Sequence, residues 1–249
     1  KRTIYQLLTD RFYPGDPYVP PTPPTPYNVC PNLRHYCGGT YKGIIDKLDY
    51  IKDLGFDAIW ITPIVKNLEW AGDTQGYHGY WMTALRELNE HFGTAQDLKD
   101  LVTAAHANDI WVMVDIVANH AGPIGQDYSQ FSAELNKPEH YHEYCNVFDE
   151  DHPMNQWRME RCWLAGLADF NHENPDVVKA LNDWISWMKN EFNIDGIRID
   201  TIPHVPHDFW AGFAQASDMY QVGEALDPRA DYVASYQGYL EGRRIYFPC

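Results

Sequence analysis

Charged and polar side chains stand at the ends of three apolar stretches of this sequence. The residues at these ends are Asp115, Asn119, His120, Arg198, Asp200 and Glu224. A carboxylate can act as a nucleophile, and a second carboxylate can act as a general acid and base on the same bond. The pair Asp200 and Glu224 therefore predicts acid–base and nucleophilic chemistry, provided that the fold brings the two stretches side by side.

The stretch around Arg198 shows how a strand would place these groups. Side chains alternate between the two faces of a strand, so Arg198 and Asp200 share one face. We expect the arginine to lower the pKa of Asp200 and keep it ionised, which suits a nucleophile. Structural alternatives stay open: an ion pair at Arg198, a solvated surface position for Glu224, and a turn cap for Asn119 and His120.

Apolar strands alternate with amphipathic helices along most of the chain. The predicted strands are 3–9, 57–62, 111–117, 194–199 and 219–222, and the predicted helices are 43–54, 94–107, 174–191 and 208–216. This alternation indicates a parallel sheet. Five strands fit either an open doubly wound sheet or part of a (β/α)8 barrel. Because no glycine-rich phosphate loop follows any strand, we favour the barrel, whose chemistry lies at the carboxyl ends of its strands.

Residues 121–170 interrupt the alternation after the third strand. The stretch is too long for an ordinary connection, so we predict a small inserted domain with irregular or β structure. The predicted organisation is a first part of the barrel at 1–120, the inserted domain at 121–170, and a continuation of the barrel at 171–249. The barrel is incomplete, with about five strands.

The composition limits the choice of partner. The net charge is −16, and such a surface repels a phosphate backbone, so we do not expect nucleic acid as a partner. No run of 18 apolar residues occurs, and no membrane span is expected. The nine tryptophans and seventeen tyrosines can stack on sugar rings, although most should fill the core. The first residues lead directly into a strand with no signal peptide, so a secreted protein would be represented in its mature form.

Five cysteines are present. Cys30 and Cys37 close a proline-rich loop, and Cys145 and Cys162 bracket a polar stretch, which suggests two local disulfides and an oxidising compartment. Reduced thiols are the alternative, and a zinc site is disfavoured because no C-x-x-C spacing occurs. Cys249 is left over at the last position.

Several motifs of this chain resemble the α-amylase family, glycoside hydrolase family 13, and especially its fungal members. They are YQLLTDRF, GIIDKLDYIKDLGFDAIWITP, YHGYW, DIVANH, GIRIDTIPH and GEAL, and the resemblance covers nearly the whole chain. It implies a (β/α)8 barrel and an endo-acting hydrolase of α-1,4-glucans such as starch, which retains configuration through a covalent intermediate. A glucanotransferase of the same family and a catalytically dead glucan-binding protein are the alternatives.

The resemblance also implies roles for individual residues. Asp200 would be the nucleophile, Glu224 the acid and base, Arg198 the group that holds Asp200, and Asp115 a structural aspartate. Two carboxylates about 5 Å apart can flank a glycosidic bond in this way. Residues implied to bind or position the sugar are Arg198, His120, His78, Tyr80, Trp81 and His204.

A calcium ion is implied as well. The matching positions are Asn119, Glu160, Asp169 and His204, some of which would bind through backbone oxygens, as a hard cation prefers. The ion would join the inserted domain to the barrel. The resemblance further implies a starch or malto-oligosaccharide substrate, secretion, and a monomer when the protein is full length.

The sequence departs from the family in three places. The motif that ends in Asn-His-Asp belongs after strand seven and is absent. Asn171-His172-Glu173 precedes the fourth strand and does not replace it. Loss of that third carboxylate should remove about 3–5 kcal/mol of transition-state stabilisation. Because five strands leave open sheet edges and exposed apolar faces, we expect a truncated form of a longer protein or a chain that needs a partner. Pro203 replaces a usual lysine, and Ala234 replaces a usual disulfide cysteine.

Overall fold

The computed structural model describes residues 1–15, 30–147 and 155–239. Its strands and helices are β1 (Ile4–Gln6), α1 (Thr9–Phe12), α2 (Tyr41–Ile45), α3 (Leu48–Asp53), β2 (Ala58–Ile61), β3 (Trp70–Ala71), β4 (Thr74–Gln75), α4 (Ala95–Ala107), β5 (Trp111–Ile116), α5 (Gln156–Met159), α6 (Pro175–Phe192), β6 (Gly196–Ile199), α7 (His207–Ser217), β7 (Tyr220–Gly223) and α8 (Ala230–Ser235). Strands β1, β2, β5, β6 and β7 pair in this order, all parallel, as the alternation predicted. A short hairpin of β3 and β4 stands apart.

The register of the sheet sets the candidate groups level with one another. Asp115 on β5 pairs with Arg198 on β6, and Arg198 pairs with Val222 on β7. The ladder continues beyond the strands: the Asp200 amide donates to the carbonyl of Ile116 at 2.9 Å. The Glu224 amide likewise donates to the carbonyl of Ile199 at 2.8 Å. Both carboxylates therefore leave the same edge of the sheet from neighbouring strands.

Side-chain caps mark the start of four of the described helices, α2, α4, α5 and α6. Thr94 and Asp97 form the capping box that begins α4, and the Asn174 side chain accepts from the amide of Asp176 at the start of α6. The predicted helix 43–54 is wrong as a single element, because the backbone at Lys47 (φ −117°, ψ 9°) leaves the helical region between α2 and α3. Gly55 ends α3 as predicted, with a positive φ of 88°.

The inserted stretch is irregular in the parts that the structure describes. Residues 121–147 and 155–170 contain α5, short 3₁₀ turns and isolated β-bridges, and no β-strand is formed in these two ranges. Its apolar side chains join the main hydrophobic cluster, and these include Phe131, Leu135, Tyr141, Trp163 and Phe170. The insertion thus packs as an extension of the main core, and the predicted limits 121 and 170 stay a prediction.

Both predicted cysteine pairs are bonded. Cys30 is linked to Cys37, and Cys145 is linked to Cys162. Cys249 and most of the proline-rich stretch lie outside the described residues. Within the described ranges, no helix combines the length and the apolar character needed to cross a membrane.

Candidate active site

One guanidinium binds three carboxylates at the carboxyl edge of the sheet. Nη1 of Arg198 donates to Asp115 at 3.0 Å and to Asp200 at 2.8 Å, and Nη2 lies 2.9 Å from Oε2 of Glu224. The carboxyls of Asp200 and Glu224 are also close enough for the charge of each to affect the pKa of the other. We call Arg198, Asp115, Asp200 and Glu224 the arginine cluster. The structure thus brings together the two residues that the sequence singled out as catalytic candidates.

A turn in the left-handed region follows Asp200. Thr201 has φ 49° and ψ 42°, a conformation that a β-branched residue rarely adopts. In this conformation its backbone amide donates to Oε2 of Glu224 at 3.1 Å. The sequence analysis did not identify Thr201, because no local sequence pattern predicts a threonine in the left-handed region. The turn fixes the carboxylate of Glu224 beside Asp200.

The two carboxyls differ in acidity. Burial raises the pKa of Asp200, and repulsion from Asp115 and Glu224 adds to this although Arg198 opposes it. Burial also acts against ionisation of Glu224, but Arg198, the interaction with Asp200 and the amide of Thr201 outweigh it and lower the pKa of Glu224. Arg198 thus lowers the pKa of Asp200 as expected, but burial and the neighbouring carboxylates outweigh it, so the expectation of a net lowered pKa is wrong.

Asp115 is the buried support of the arginine cluster. Besides Arg198, its carboxylate accepts from the hydroxyl of Tyr80 at 2.8 Å and from Nε1 of Trp60 at 3.1 Å. Burial raises the pKa of Asp115 to about 6, although these donors and Arg198 lower it. The guanidinium of Arg198 also lies 5.4 Å from the ring centre of Trp60. Trp60 was missed by the sequence analysis, because its partner is 55 positions away.

Two neutral histidines lie near the arginine cluster. Nδ1 of His78 accepts from the amide of Tyr80 at 3.0 Å, so its proton is on Nε2. The rings of His78 and Tyr80 stack at 5.8 Å, and Trp81 meets His78 edge-on at 4.6 Å. Burial lowers the pKa of His78 to about 4 and that of His120 to about 3. Among the described residues, Nε2 of His120 has no hydrogen-bond partner.

Three oxygens converge beside this site, and we call them the oxygen cluster. The side-chain oxygen of Asn119 lies 3.1 Å from Oδ1 of Asp169 and 2.8 Å from the carbonyl oxygen of His204, while its nitrogen faces Nδ1 of His120 at 3.2 Å. Oxygen atoms at these distances repel one another unless a cation lies between them. Alternatively, the Asn119 amide is rotated, so that its nitrogen donates to both Asp169 and the carbonyl of His204. A carboxylate, an amide and a backbone carbonyl are ligands that a hard cation prefers.

The other predicted metal ligand is engaged elsewhere. The carboxylate of Glu160 accepts from Gln156 at 2.8 Å and from Arg161 at 3.3 Å. Across the described ranges, no group of three or more His, Cys, Asp or Glu residues could hold a metal ion. This agrees with the make-up of the oxygen cluster, in which Asp169 supplies the only carboxylate and His204 contributes its backbone.

Comparison with known proteins gives consistent matches. Residues 6–247 match the family described as α-amylase, catalytic domain. The chain is 42% identical over 259 residues to α-amylase 3 of Schizosaccharomyces pombe and 39% identical over 259 residues to the α-amylase of Saccharomycopsis fibuligera. These matches cover 99% of the chain but only 44% and 50% of the two relatives, so the chain spans about half their length.

Solved structures give the same result. An α-amylase from Malbranchea cinnamomea superposes with a TM-score of 0.85 at 42% identity, over 96% of this chain and 50% of that one. A three-domain cyclomaltodextrin glucanotransferase superposes with a TM-score of 0.78 at 30% identity, over 96% of this chain and 53% of that one. The predicted (β/α)8 architecture, present here with five strands, is confirmed. The protein chain therefore belongs to the α-amylase catalytic-domain family.

Proposed function

We propose that the protein is an endo-acting α-1,4-glucan hydrolase that cleaves starch and malto-oligosaccharides with retention of configuration. One observation carries the proposal: the carboxylates of Asp200 and Glu224 are both bound by the guanidinium of Arg198, at 2.8 and 2.9 Å. Retaining glycosidases hold their two carboxyls about 5 Å apart, whereas inverting enzymes leave room for a water between them. The close pairing favours the retaining mechanism.

The chemistry proceeds in two steps. Asp200 attacks the anomeric carbon while Glu224 gives its proton to the leaving glycosidic oxygen, so the C–O bond breaks as the ester to Asp200 forms. Glu224 then takes a proton from water, which attacks the same carbon and releases Asp200. For the first step the proton belongs on Glu224, and Arg198 stabilises the ionised Asp200.

Neighbouring side chains are suited to hold the sugar. Neutral His78 and His120 offer Nε2 protons to sugar hydroxyls, and Tyr80 and Trp81 offer aromatic faces. Asp115 keeps Arg198 in place from behind. We also assign His204 to the leaving-group side of the cleft.

We further propose that the oxygen cluster binds Ca²⁺. Asn119 follows β5, Asp169 ends the inserted stretch, and His204 lies in the loop after β6. A bound ion would therefore tie three segments together beside the cleft and supply structural rigidity. Glu160 remains a proposed ligand through its backbone oxygen.

The proposal extends to the whole protein. The resemblance implies a third carboxylate after the seventh strand of a complete barrel. The sheet described here has five strands and does not reach that position. Two disulfides support secretion, the net charge of −16 argues against a nucleic-acid partner, and a monomer remains our expectation. Proposed domain limits are 1–120, 121–170 and 171–249.

Proton NMR during hydrolysis of maltoheptaose tests the function. The purified protein should release the α-anomer first, before mutarotation, and Asp200→Asn and Glu224→Gln should each abolish the signal. The surface variant Glu87→Gln serves as the control, because Glu87 forms an exposed ion pair with Lys66. First appearance of the β-anomer, or full activity in either carboxylate variant, would contradict the proposal.

A glucanotransferase is the second candidate, because one structural neighbour is a cyclomaltodextrin glucanotransferase. Transfer uses the same two carboxylates but passes the glucosyl chain to a sugar instead of water. Products longer than the maltoheptaose supplied, or cyclic products, would favour transfer. Binding of starch with no cleavage would favour a glucan-binding protein without catalysis.

A further inference from the structure

His142 holds Asp169 in two ways. Its backbone amide donates to the carbonyl of Asp169 at 3.0 Å, and its ring atom Nδ1 lies 2.6 Å from Oδ2 of the same residue. The carbonyl of His142 accepts from Nε1 of Trp163 at 3.0 Å. Trp163 follows Cys162, whose disulfide to Cys145 closes this part of the insertion. Two hydrogen bonds therefore hold the backbone of His142, independently of its ring.

The far side of the ring is anchored as well. Nε2 of His142 lies 2.7 Å from Oε2 of Glu173, and Glu173 also pairs with Arg161. The two ring nitrogens thus contact two different carboxyl groups, Nδ1 that of Asp169 and Nε2 that of Glu173. The ring plane is therefore set by two opposed carboxyl groups.

This arrangement divides the two oxygens of Asp169 between different partners. Oδ2 is bound by His142, and Oδ1 faces the Asn119 side chain in the oxygen cluster. The Asp169 side chain is fully buried, so the orientation of its carboxylate depends on these protein contacts. Rotation of the carboxylate would break the 2.6 Å bond to His142.

We propose that His142 is a positioning residue, which turns Oδ1 of Asp169 toward the oxygen cluster while Glu173 braces the ring from outside. The inference rests on the proposed Ca²⁺ site. Partners that orient metal ligands typically change metal affinity about 10–100-fold when they are removed.

Two amide substitutions separate the two ring contacts. His142→Asn places an amide nitrogen near the Nδ1 position and keeps the bond to Asp169. His142→Gln places its amide nitrogen near the Nε2 position, so it keeps the contact with Glu173 and loses the bond to Asp169. His91→Gln is the matched control, since His91 contacts Glu69 at 2.9 Å in an exposed pair.

Calorimetric titration of Ca²⁺ into chelator-treated protein gives the readout, with the melting temperature of the ion-free protein as a check on folding. We expect the Kd for Ca²⁺ to rise about 10–100-fold in His142→Gln and to stay within about threefold of wild type in His142→Asn and His91→Gln. If His142→Gln does not fold, Glu173→Gln replaces it, with an expected rise in Kd of about 3–10-fold.

The failures are distinguishable. Absence of Ca²⁺ binding by the wild-type protein overturns the proposed calcium site. Binding by wild type with the same Kd in His142→Gln, or in Glu173→Gln where that variant replaces it, overturns the positioning role alone. An equal loss of affinity in His142→Asn and His142→Gln also overturns it, because the bond to Asp169 would then not be the cause.

Discussion

The arginine cluster and the oxygen cluster both use residues that lie in or after β5 and β6, but they balance their charges differently. In the arginine cluster, Arg198 is a cation supplied by the chain and contacts all three carboxylates. In the oxygen cluster, the ring of His142 contacts Oδ2 of Asp169, away from the converging oxygens. The comparison indicates that the first site is preformed by its side chains, whereas the second would be completed by the Ca²⁺ ion that we propose.

The largest expected effect separates catalysis from stability in the arginine cluster. Asp200→Asn should reduce kcat/KM by about 10⁴-fold or more, because it removes the nucleophile. It should leave the free energy of unfolding unchanged or higher, because the buried carboxyl that it replaces is costly to ionise. Kinetics on maltoheptaose and urea unfolding measure the two. A large loss of stability would show that Asp200 is chiefly a structural partner of Arg198.

Loss of the guanidinium should destabilise the fold. Arg198→Met leaves three carboxylates without their shared cation, and the free energy of unfolding should fall by about 3–5 kcal/mol. Urea unfolding at neutral pH measures this loss. Arg34→Met is the control: Arg34 pairs with Asp73 on the surface, and its loss should change stability by less than about 1 kcal/mol. Equal effects of the two substitutions would contradict the central place of Arg198.

The raised pKa of Asp115 predicts a pH dependence. The pKa of Asp115 is about 6 in the folded protein, above the ordinary value of an aspartate. Protonation of Asp115 therefore favours the folded state, and this contribution to stability is fully present at a pH below the ordinary pKa. This stability is lost as the pH rises through about 6. The free energy of unfolding of wild type should therefore fall by about 2–3 kcal/mol relative to Asp115→Asn between pH 4 and pH 7. Urea unfolding across that range measures the difference. Parallel profiles for the two proteins would contradict the prediction.

Removal of Ca²⁺ should give the smallest effect and should be confined to the oxygen cluster. At a free Ca²⁺ concentration of about ten times Kd, the ion should add about 1.4 kcal/mol to the free energy of unfolding. Asn119→Leu should remove this gain, whereas Asp200→Asn should keep it. Thermal unfolding with EGTA and with excess Ca²⁺ measures both. A gain that survives in Asn119→Leu would place the ion elsewhere.

Local patterns in the sequence were sufficient for the five strands of the main sheet and for the edge where the carboxylates meet. They missed the β3–β4 hairpin, and they extended the first strand to residue 9, although α1 begins at Thr9. Alternation along β6 put Arg198 and Asp200 on one face, and parallel strands brought Glu224 to the same edge. The acidity of Asp200 was not predictable in this way, because it depends on burial and on carboxylates from two other strands. His142 was missed for a similar reason: Asp169 lies 27 positions away.

The break between α2 and α3 was missed because apolar residues keep helical spacing across it. Spacing reports which face is buried, and it does not report a single residue whose backbone leaves the helical region, as Lys47 does. The disulfides were easier to predict, because each pair closes a short loop, with separations of 7 and 17 positions.

Trapping the covalent intermediate tests the central claim most directly. In Glu224→Gln, α-maltosyl fluoride should still react, because fluoride leaves without an acid, but the ester should persist, because no base activates water. Mass spectrometry of a peptic digest should then find the maltosyl group on the peptide that contains Asp200. Release of fluoride with the sugar attached to another residue, or with no residue labelled, would contradict the account.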